Sequence, residues 1–142
     1  MGAKDLLRRA GWRPGRHVDV DSMIGELESA GHVLVPPARN FLSEFSGLTI
    51  HSEDGRKSVR IDGHDAARRA DVGWCLAYAE GIGRSVTPAG EYSHMTLMID
   101  EAGVFWGGYD DLYGLMGDDI IDLVDELLIG PALRQLDREV SN

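Results

Sequence analysis

Apolar residues recur every three or four positions in several segments of the chain, and this spacing predicts amphipathic helices. In one segment Ala38, Phe41, Leu42 and Phe45 fall on one helical face, behind a Pro36-Pro37 pair that favours a helix start. Residues suited to helix caps and stops bound the segments. The first two predicted helices are Lys4–Ala10 and a helix that Asp19 or Asp21 caps and that reaches Ala30. The third runs from Pro37 to the stop at Gly47, and the fourth covers Asp65–Ile82, with Asp71 as a point where it could break. The last runs from Asp118 or Asp119 to the stop at Gly130.

Alternating apolar and polar residues predict two antiparallel hairpins. The first joins Leu48–Ser52 to Ser58–Asp62, and the second joins His94–Asp100 to Val104–Tyr109 through a glycine-containing turn. Residues Val86–Glu91 include a proline, so they predict a short edge strand at best. This order of elements predicts an α+β fold in which an antiparallel β-meander is covered by helices.

The length of 142 residues fits a single domain over residues 1–142, with a core over about residues 10–130 and a polar tail over 131–142. A single cysteine, Cys75, excludes an internal disulfide and fits a reducing compartment. No segment reaches the roughly 18 consecutive apolar residues of a membrane span, and the N-terminus lacks the apolar run of a signal peptide. We therefore expect a soluble, cytoplasmic protein.

The negative charge of the chain is concentrated in one stretch. Between Ser85 and Leu133 there is no Lys or Arg, whereas the stretch contains ten carboxylates. The other 14 of the 24 acidic residues are balanced by 14 Lys and Arg, so the stretch carries the whole net charge of −10. Phosphate groups are bound by clustered cations, so this composition argues against nucleic acid and anionic membranes as partners. The stretch instead predicts a surface that attracts a basic partner.

Patterns for catalysis or metal binding are weak in this sequence. The five histidines share no ligand spacing, and no Gly-x-Ser-x-Gly motif is present. Cys75 lies in an apolar helix, which predicts a buried thiol. The aspartate pairs 110–111 and 118–119 do not match a calcium loop, although a hydrolase that uses paired carboxylates remains an alternative. We predict no catalytic residue, no cofactor and no metal.

Aromatic side chains lie among these carboxylates, a combination typical of protein-binding surfaces. Strand alternation predicts that one of Phe105 and Trp106 faces the core and the other faces outward. The acids also have a structural interpretation: Asp118 and Asp119 could be the anions that favour a helix start, and Asp122, Asp125 and Glu126 could form the solvated face of that helix. The candidate partner-binding residues are Asp100, Glu101, Trp106, Tyr109, Asp110, Asp111, Tyr113, Asp118, Asp119 and Asp122. Those expected to steer the partner are Asp110, Asp111, Asp118 and Asp119, and those expected to anchor it are Trp106, Tyr109 and Tyr113.

Five blocks of the sequence, in order, resemble a family of bacterial immunity proteins. The blocks are Gly11–Asp19 (GWRPGRHVD), Phe41–Leu48 (FLSEFSGL, with Ser46 where the family more often has Gly), Ile82–Glu91 (IGRSVTPAGE), Ile99–Phe105 (IDEAGVF) and Leu127–Gly130 (LLIG). Together they resemble the SUKH superfamily, and its third subfamily in particular, over roughly Ala10 to Gly130.

The resemblance implies an α+β fold without catalytic residues. It also implies an immunity protein that binds and blocks a cognate toxin, often a nuclease or a nucleic-acid deaminase, from a polymorphic or contact-dependent toxin system. Combined with the charge, it leads us to expect a protein toxin with a basic surface as the partner. A regulatory adaptor of the same fold that binds a partner other than a toxin is the alternative, and the sequence leaves the oligomeric state open.

Overall fold

The computed structural model describes residues 1–109 and 112–130, and only the backbone of Leu112 and Tyr113. The helices are α1 (Ala3–Arg9), α2 (Asp21–Ser29), α3 (Pro36–Phe45), α4 (Gly63–Arg69), α5 (Val72–Ile82) and α6 (Ile120–Val124), which continues into a π-helical turn (Asp125–Ile129). The strands are β1 (Leu48–His51), β2 (Ser58–Ile61), β3 (Val86–Tyr92), β4 (Met95–Asp100), β5 (Phe105–Tyr109) and β6 (Leu112–Gly117). Within these two ranges, no helix is both long and apolar enough to cross a bilayer.

The six strands form one antiparallel sheet in the order β1-β2-β3-β4-β5-β6. Each strand pairs with the strand that precedes it in sequence, so the sheet is a meander. This confirms the predicted α+β fold with a helix-covered antiparallel meander, and both predicted hairpins are present as β1–β2 and β4–β5. Strands β1 and β6 form the two edges of the sheet as far as the structure describes it.

Strand β3 differs from the prediction, which made Val86–Glu91 a short edge strand at best. The strand has seven residues and lies inside the sheet, between β2 and β4. Its pairing with β2 is confined to Glu91 and Gly90, so Pro88 lies beyond the end of that ladder, where its missing N–H leaves no bond unmade. A register shift between Pro88 and Gly90 absorbs the irregularity on the β4 side.

Strand β6 was missing from the prediction, which treated Leu112–Gly117 as a segment between two aspartate pairs. Two of its six residues are glycine, and glycine is depleted in strands. The strand forms because β5 supplies a pairing partner, and a register shift near Phe105 and Trp106 accommodates one extra residue of β6. The aspartates of the pair 110–111 and the predicted polar tail, 131–142, lie outside the described residues.

The predicted helix over Asp65–Ile82 is two helices, α4 and α5, so the break near Asp71 is confirmed. The Asp62 carboxylate caps α4 by accepting a hydrogen bond from the Asp65 N–H at 3.1 Å. The Asp71 carboxylate caps α5 in the same way, from the Trp74 N–H at 2.7 Å. Side-chain caps of this kind satisfy N–H groups that have no partner within their own helix.

The main core lies on one face of the sheet, under α1, α2, α3 and α6. Its wholly or almost wholly buried side chains include Leu6, Leu27, Leu42, Ile50 and Val124. The opposite face is covered by α5, whose Cys75 and Tyr78 pack with Val86 and Met98 in a second, smaller cluster. Both faces of the central strands are therefore buried, whereas Leu115 of β6 is exposed at the edge of the sheet.

Candidate partner-binding surface

Asp100 is a structural residue and does not lie on the surface, so its prediction as a partner-binding residue is wrong. It is the last residue of β4 and is 0% exposed. Its carboxylate accepts hydrogen bonds from the N–H groups of Ala102 at 2.8 Å and Val104 at 3.0 Å, and from the Trp106 indole at 2.9 Å. The Arg84 guanidinium donates a fourth bond, at 3.2 Å. The carboxylate thus holds the β4–β5 turn together.

The charge of Asp100 is maintained by these four donors. Burial on its own would raise the pKa of the carboxyl group. The Trp106 indole, the N–H groups of Val104 and Ala102, and the Arg84 guanidinium together outweigh burial and hold the pKa of Asp100 below its ordinary value. The group is therefore an anion at neutral pH, and Arg84 supplies the cation that the sequence places just before the acidic stretch.

Trp106 is fixed in place and half-buried. Phe105 is 3% exposed in the main core, so the predicted alternation of these two side chains is confirmed. Trp106 lies on the opposite face, but it packs against the cluster under α5 and does not face outward as predicted. The Trp106 indole is bound to Asp100, and its ring makes an edge contact with Tyr78 at a centroid distance of 6.5 Å. Leu115 of β6 is its direct cross-strand partner and is 53% exposed. Trp106 and Leu115 therefore form an apolar patch beside the outer edge of the sheet.

Sequence reasoning missed Leu115, because it did not recognise β6. A signal was present in the sequence: Leu112–Gly117 is an uncharged run of six residues between two aspartate pairs, within an otherwise acidic stretch. Such a run of apolar residues and glycines is compatible with a strand that pairs on one side only.

Four predicted residues lie at one end of the sheet, which we call the acidic end: Glu101, Asp118, Asp119 and Asp122. The pairing of Phe105 with Gly117 places the β4–β5 turn and the β6–α6 junction at this end. Glu101, Asp118 and Asp119 are exposed, and Asp122 is half-buried. In the part of the chain that the structure describes, none of the four forms an ion pair.

Three members of the acidic end also organise the start of α6, as the structural interpretation of the sequence anticipated. The Asp119 carboxylate caps the helix by accepting a hydrogen bond from the Asp122 N–H at 2.8 Å. The Asp122 carboxylate in turn accepts a bond from the Asp118 N–H at 3.3 Å. The Asp118 carboxylate has no hydrogen bond within the described residues, so it is the member most available to a partner.

The predicted residues do not all converge on this end. Strand β5 ends at Tyr109 and β6 begins at Leu112, at the opposite ends of these strands. Asp110 and Asp111 lie outside the described residues. At a rise of about 3.3 Å per residue, the five residues of β5 separate its two ends by roughly 15 Å. Tyr109 is 46% exposed and lines an open groove with Tyr92, His94 and Met95. The side chain of Tyr113 is outside the description.

The other acids of the stretch are less available. Glu91 lies 3.8 Å from the Arg69 guanidinium. Glu126 is 6% exposed, so its interpretation as part of a solvated helix face is wrong, and Asp125 is half-buried. The charge that the sequence spreads over almost fifty residues is therefore available to a partner mainly at the acidic end, within the described residues.

Among the described residues, the Cys75 thiol is not activated, and the potential metal ligands are not grouped. Burial raises the pKa of the Cys75 thiol to about 12, and the charge of Asp71 acts in the same direction, so the thiol stays protonated. The buried thiol predicted from the sequence is confirmed. Within the described residues, no three His, Cys, Asp or Glu side chains are grouped as metal ligands.

The architecture, an antiparallel meander with helices on both faces, is of the α+β class that the resemblance to the SUKH superfamily implied. A family model described as SUKH-3 immunity protein matches residues 2–130, and the chain therefore belongs to the SUKH-3 immunity protein family. Membership supports an immunity role in which the protein binds and neutralises a toxin. No curated protein and no solved structure matches the chain significantly.

Proposed function

We propose that this protein acts in the cytoplasm as the immunity partner of a toxin that is a nuclease or a nucleic-acid deaminase. Enzymes that act on nucleic acids carry clustered Lys and Arg to bind phosphates. An inhibitor with a carboxylate-rich surface is complementary to such a cleft and can occlude it without performing any chemistry of its own. The family supports the immunity role, and the charge distribution supports this class of toxin.

The observation that carries the proposal is the acidic end. Like charges held close together cost stability, and an ordinary solvated helix face alternates them with Lys or Arg. Here Glu101, Asp118, Asp119 and Asp122 lie at one end of the sheet without an ion pair in the described part of the chain. Carboxylates arranged in this way attract a cationic surface from a distance and exclude an anionic one.

Rescue of a poisoned cell tests this proposal. The toxic C-terminal domain of a secreted protein encoded beside this chain is expressed alone and together with the chain, and growth is scored. We expect growth to be restored only by co-expression, and we expect the purified pair to form a complex in which nucleic-acid cleavage or deamination is blocked. An unrelated acidic protein of similar net charge serves as the control, because a nonspecific charge effect would rescue equally.

Three results would count against all or part of the proposal. Growth arrest that persists despite good expression of both proteins would remove the immunity role for that toxin. A stable complex without any protection would instead favour the regulatory adaptor that the superfamily also includes. Protection against a toxin that does not act on nucleic acid would leave the immunity role intact and overturn only the proposed class of toxin.

A further inference from the structure

The outer edge of β6 offers main-chain hydrogen-bonding groups whose positions follow from the pairing of β4 with β5. The Asp100 N–H donates to the Val104 carbonyl at 2.9 Å, and this ladder bond fixes which pairs of β4 and β5 are hydrogen-bonded. Hydrogen-bonded pairs alternate along an antiparallel ladder, so Trp106 bonds to β4 and Gly107 bonds to β6. Gly107 pairs with Gly114, which leaves the N–H and C=O groups of Tyr113 and Leu115 directed away from the sheet.

Within the described residues, this edge lacks the usual protection against strand pairing. Natural edge strands are commonly short, or carry Lys, Pro or inward-facing charges. The other edge, β1, is only four residues long, whereas β6 has six residues and contains neither a charged residue nor a proline. An unprotected edge of this kind is a template for an incoming extended segment.

Apolar side chains border the edge where the main-chain groups point outward. Leu115 is 53% exposed and lies opposite Trp106 in a pair that is not hydrogen-bonded, the arrangement in which cross-strand side chains approach most closely. Trp106 is itself held by Asp100 and Tyr78. An incoming strand would therefore find a rigid aromatic ring and an exposed leucine under one of its faces.

The charge beside β6 indicates which segment fits this edge. Asp118 and Asp119 follow the strand directly, and both are exposed. A second copy of β6 brings no cation to meet them, because no Lys or Arg occurs between Ser85 and Leu133. A segment with apolar residues at its centre and Lys or Arg at the end beside Asp118 and Asp119 would instead meet opposite charge there.

We propose that the outer edge of β6 receives an extended, basic-ended segment of the toxin, which adds to the sheet as a seventh, antiparallel strand. The main-chain groups of Tyr113 and Leu115 bind the segment, the patch of Trp106 and Leu115 packs under it, and Asp118 and Asp119 attract its basic end. This mode of binding rests on the proposed immunity function, because the occupant is a segment of the toxin.

Two substitutions at one position separate main-chain from side-chain binding. Leu115→Pro removes an outward N–H that β5 does not use, and Leu115→Ala removes the apolar side chain but keeps the N–H. We measure affinity for the toxin domain that passes the rescue assay. We expect Leu115→Pro to weaken binding by tenfold or more and Leu115→Ala by about threefold, because strand addition depends chiefly on the main chain. Equal affinity for Leu115→Pro and the unmodified protein would overturn the proposal.

Amide hydrogen exchange in the unmodified protein supplies a readout that does not depend on how Leu115→Pro folds. In the free protein, we expect the Tyr113 and Leu115 amides to exchange fast and the Gly114 amide to be protected by β5. Toxin binding should slow Tyr113 and Leu115 markedly and leave Gly114 nearly unchanged. Unchanged exchange at both outward amides in the complex would contradict strand addition while leaving the rescue result, and with it the immunity role, untouched. Protection that develops without toxin, at high protein concentration, would show self-pairing and would equally overturn the proposal.

Discussion

At the scale of single residues, the sequence around Asp100 suggests a partner-binding carboxylate, whereas in the structure this carboxylate holds the β4–β5 turn together. The sequence places it in an acidic stretch among aromatics, which suggested a surface group. Its two N–H donors are two and four residues further along, a local arrangement typical of aspartate at the start of a turn. The spacing Asp100-Glu-Ala-Gly103 carried that signal, whereas the bond from the Trp106 indole depends on strand alternation and could not be read directly.

We expect the substitution Asp100→Asn to destabilise the protein by about 2–4 kcal/mol, because the Arg84 guanidinium and the Trp106 indole lose a charged acceptor in a buried site. Chemical denaturation followed by tryptophan fluorescence measures this. The neighbouring change Glu101→Gln, on an exposed side chain, is the control and should lie within about 0.5 kcal/mol of the unmodified protein.

The pH dependence of the same variant has a definite sign. Because the folded-state pKa of Asp100 lies below the ordinary carboxyl value of 3.8, its stabilising contribution is complete above that value and is lost as the pH falls through the folded-state pKa. The stability gap between the unmodified protein and Asp100→Asn should therefore narrow in strong acid. A gap that stays constant down to the lowest pH at which both proteins fold would contradict the ionised, hydrogen-bonded carboxylate.

At the scale of elements, the sequence predicted best where periodicity and caps agreed. The helical face of Phe41, Leu42 and Phe45 and the break near Asp71 are present as expected. The errors occurred at β3 and β6, where Pro88, Gly114 and Gly117 weaken local strand preference and tertiary pairing decides the conformation. Pro88 in β3 does lack an N–H group that a neighbouring strand could use. Whether that group is needed depends on where β2 ends, and the sequence of β3 alone does not contain this information.

Gly90 gives a test of how tightly the irregular part of β3 is held. A Cβ atom at this position would meet the carbonyl oxygen of Arg60 on β2, a backbone atom that cannot move aside independently. We expect Gly90→Ala to destabilise by about 2–3 kcal/mol through this overlap. Gly25→Ala, in the exposed interior of α2 with no neighbouring atom near the added methyl group, is the matched control and should stabilise by about 0.5–1 kcal/mol. Thermal unfolding of both variants measures these changes in stability. Equal shifts of the unfolding temperature in the two variants would contradict the close approach of β2 and β3.

At the scale of the whole molecule, the question is whether recognition of the toxin depends on the total net charge or on where the carboxylates lie on the surface. A chain of net charge −10 attracts any cationic protein, and the sequence alone could not distinguish that general attraction from a directed surface. The structure makes the distinction testable, because acids with similar exposure lie in very different places. Asp118 is exposed at the acidic end beside β6, and Glu28 is exposed on α2.

Asp118→Lys and Glu28→Lys change the net charge equally, so a difference between them reports placement alone. We expect Asp118→Lys to slow association with the toxin by about three- to tenfold at low salt and to flatten the dependence of the association rate on ionic strength, because steering is a rate effect that screening removes. Glu28→Lys should change the rate by less than about twofold. Stopped-flow measurements over a series of salt concentrations provide both quantities. If the two variants slowed association to the same degree, attraction would follow from net charge, and the acidic end would lose its role in directing the toxin to the edge of β6.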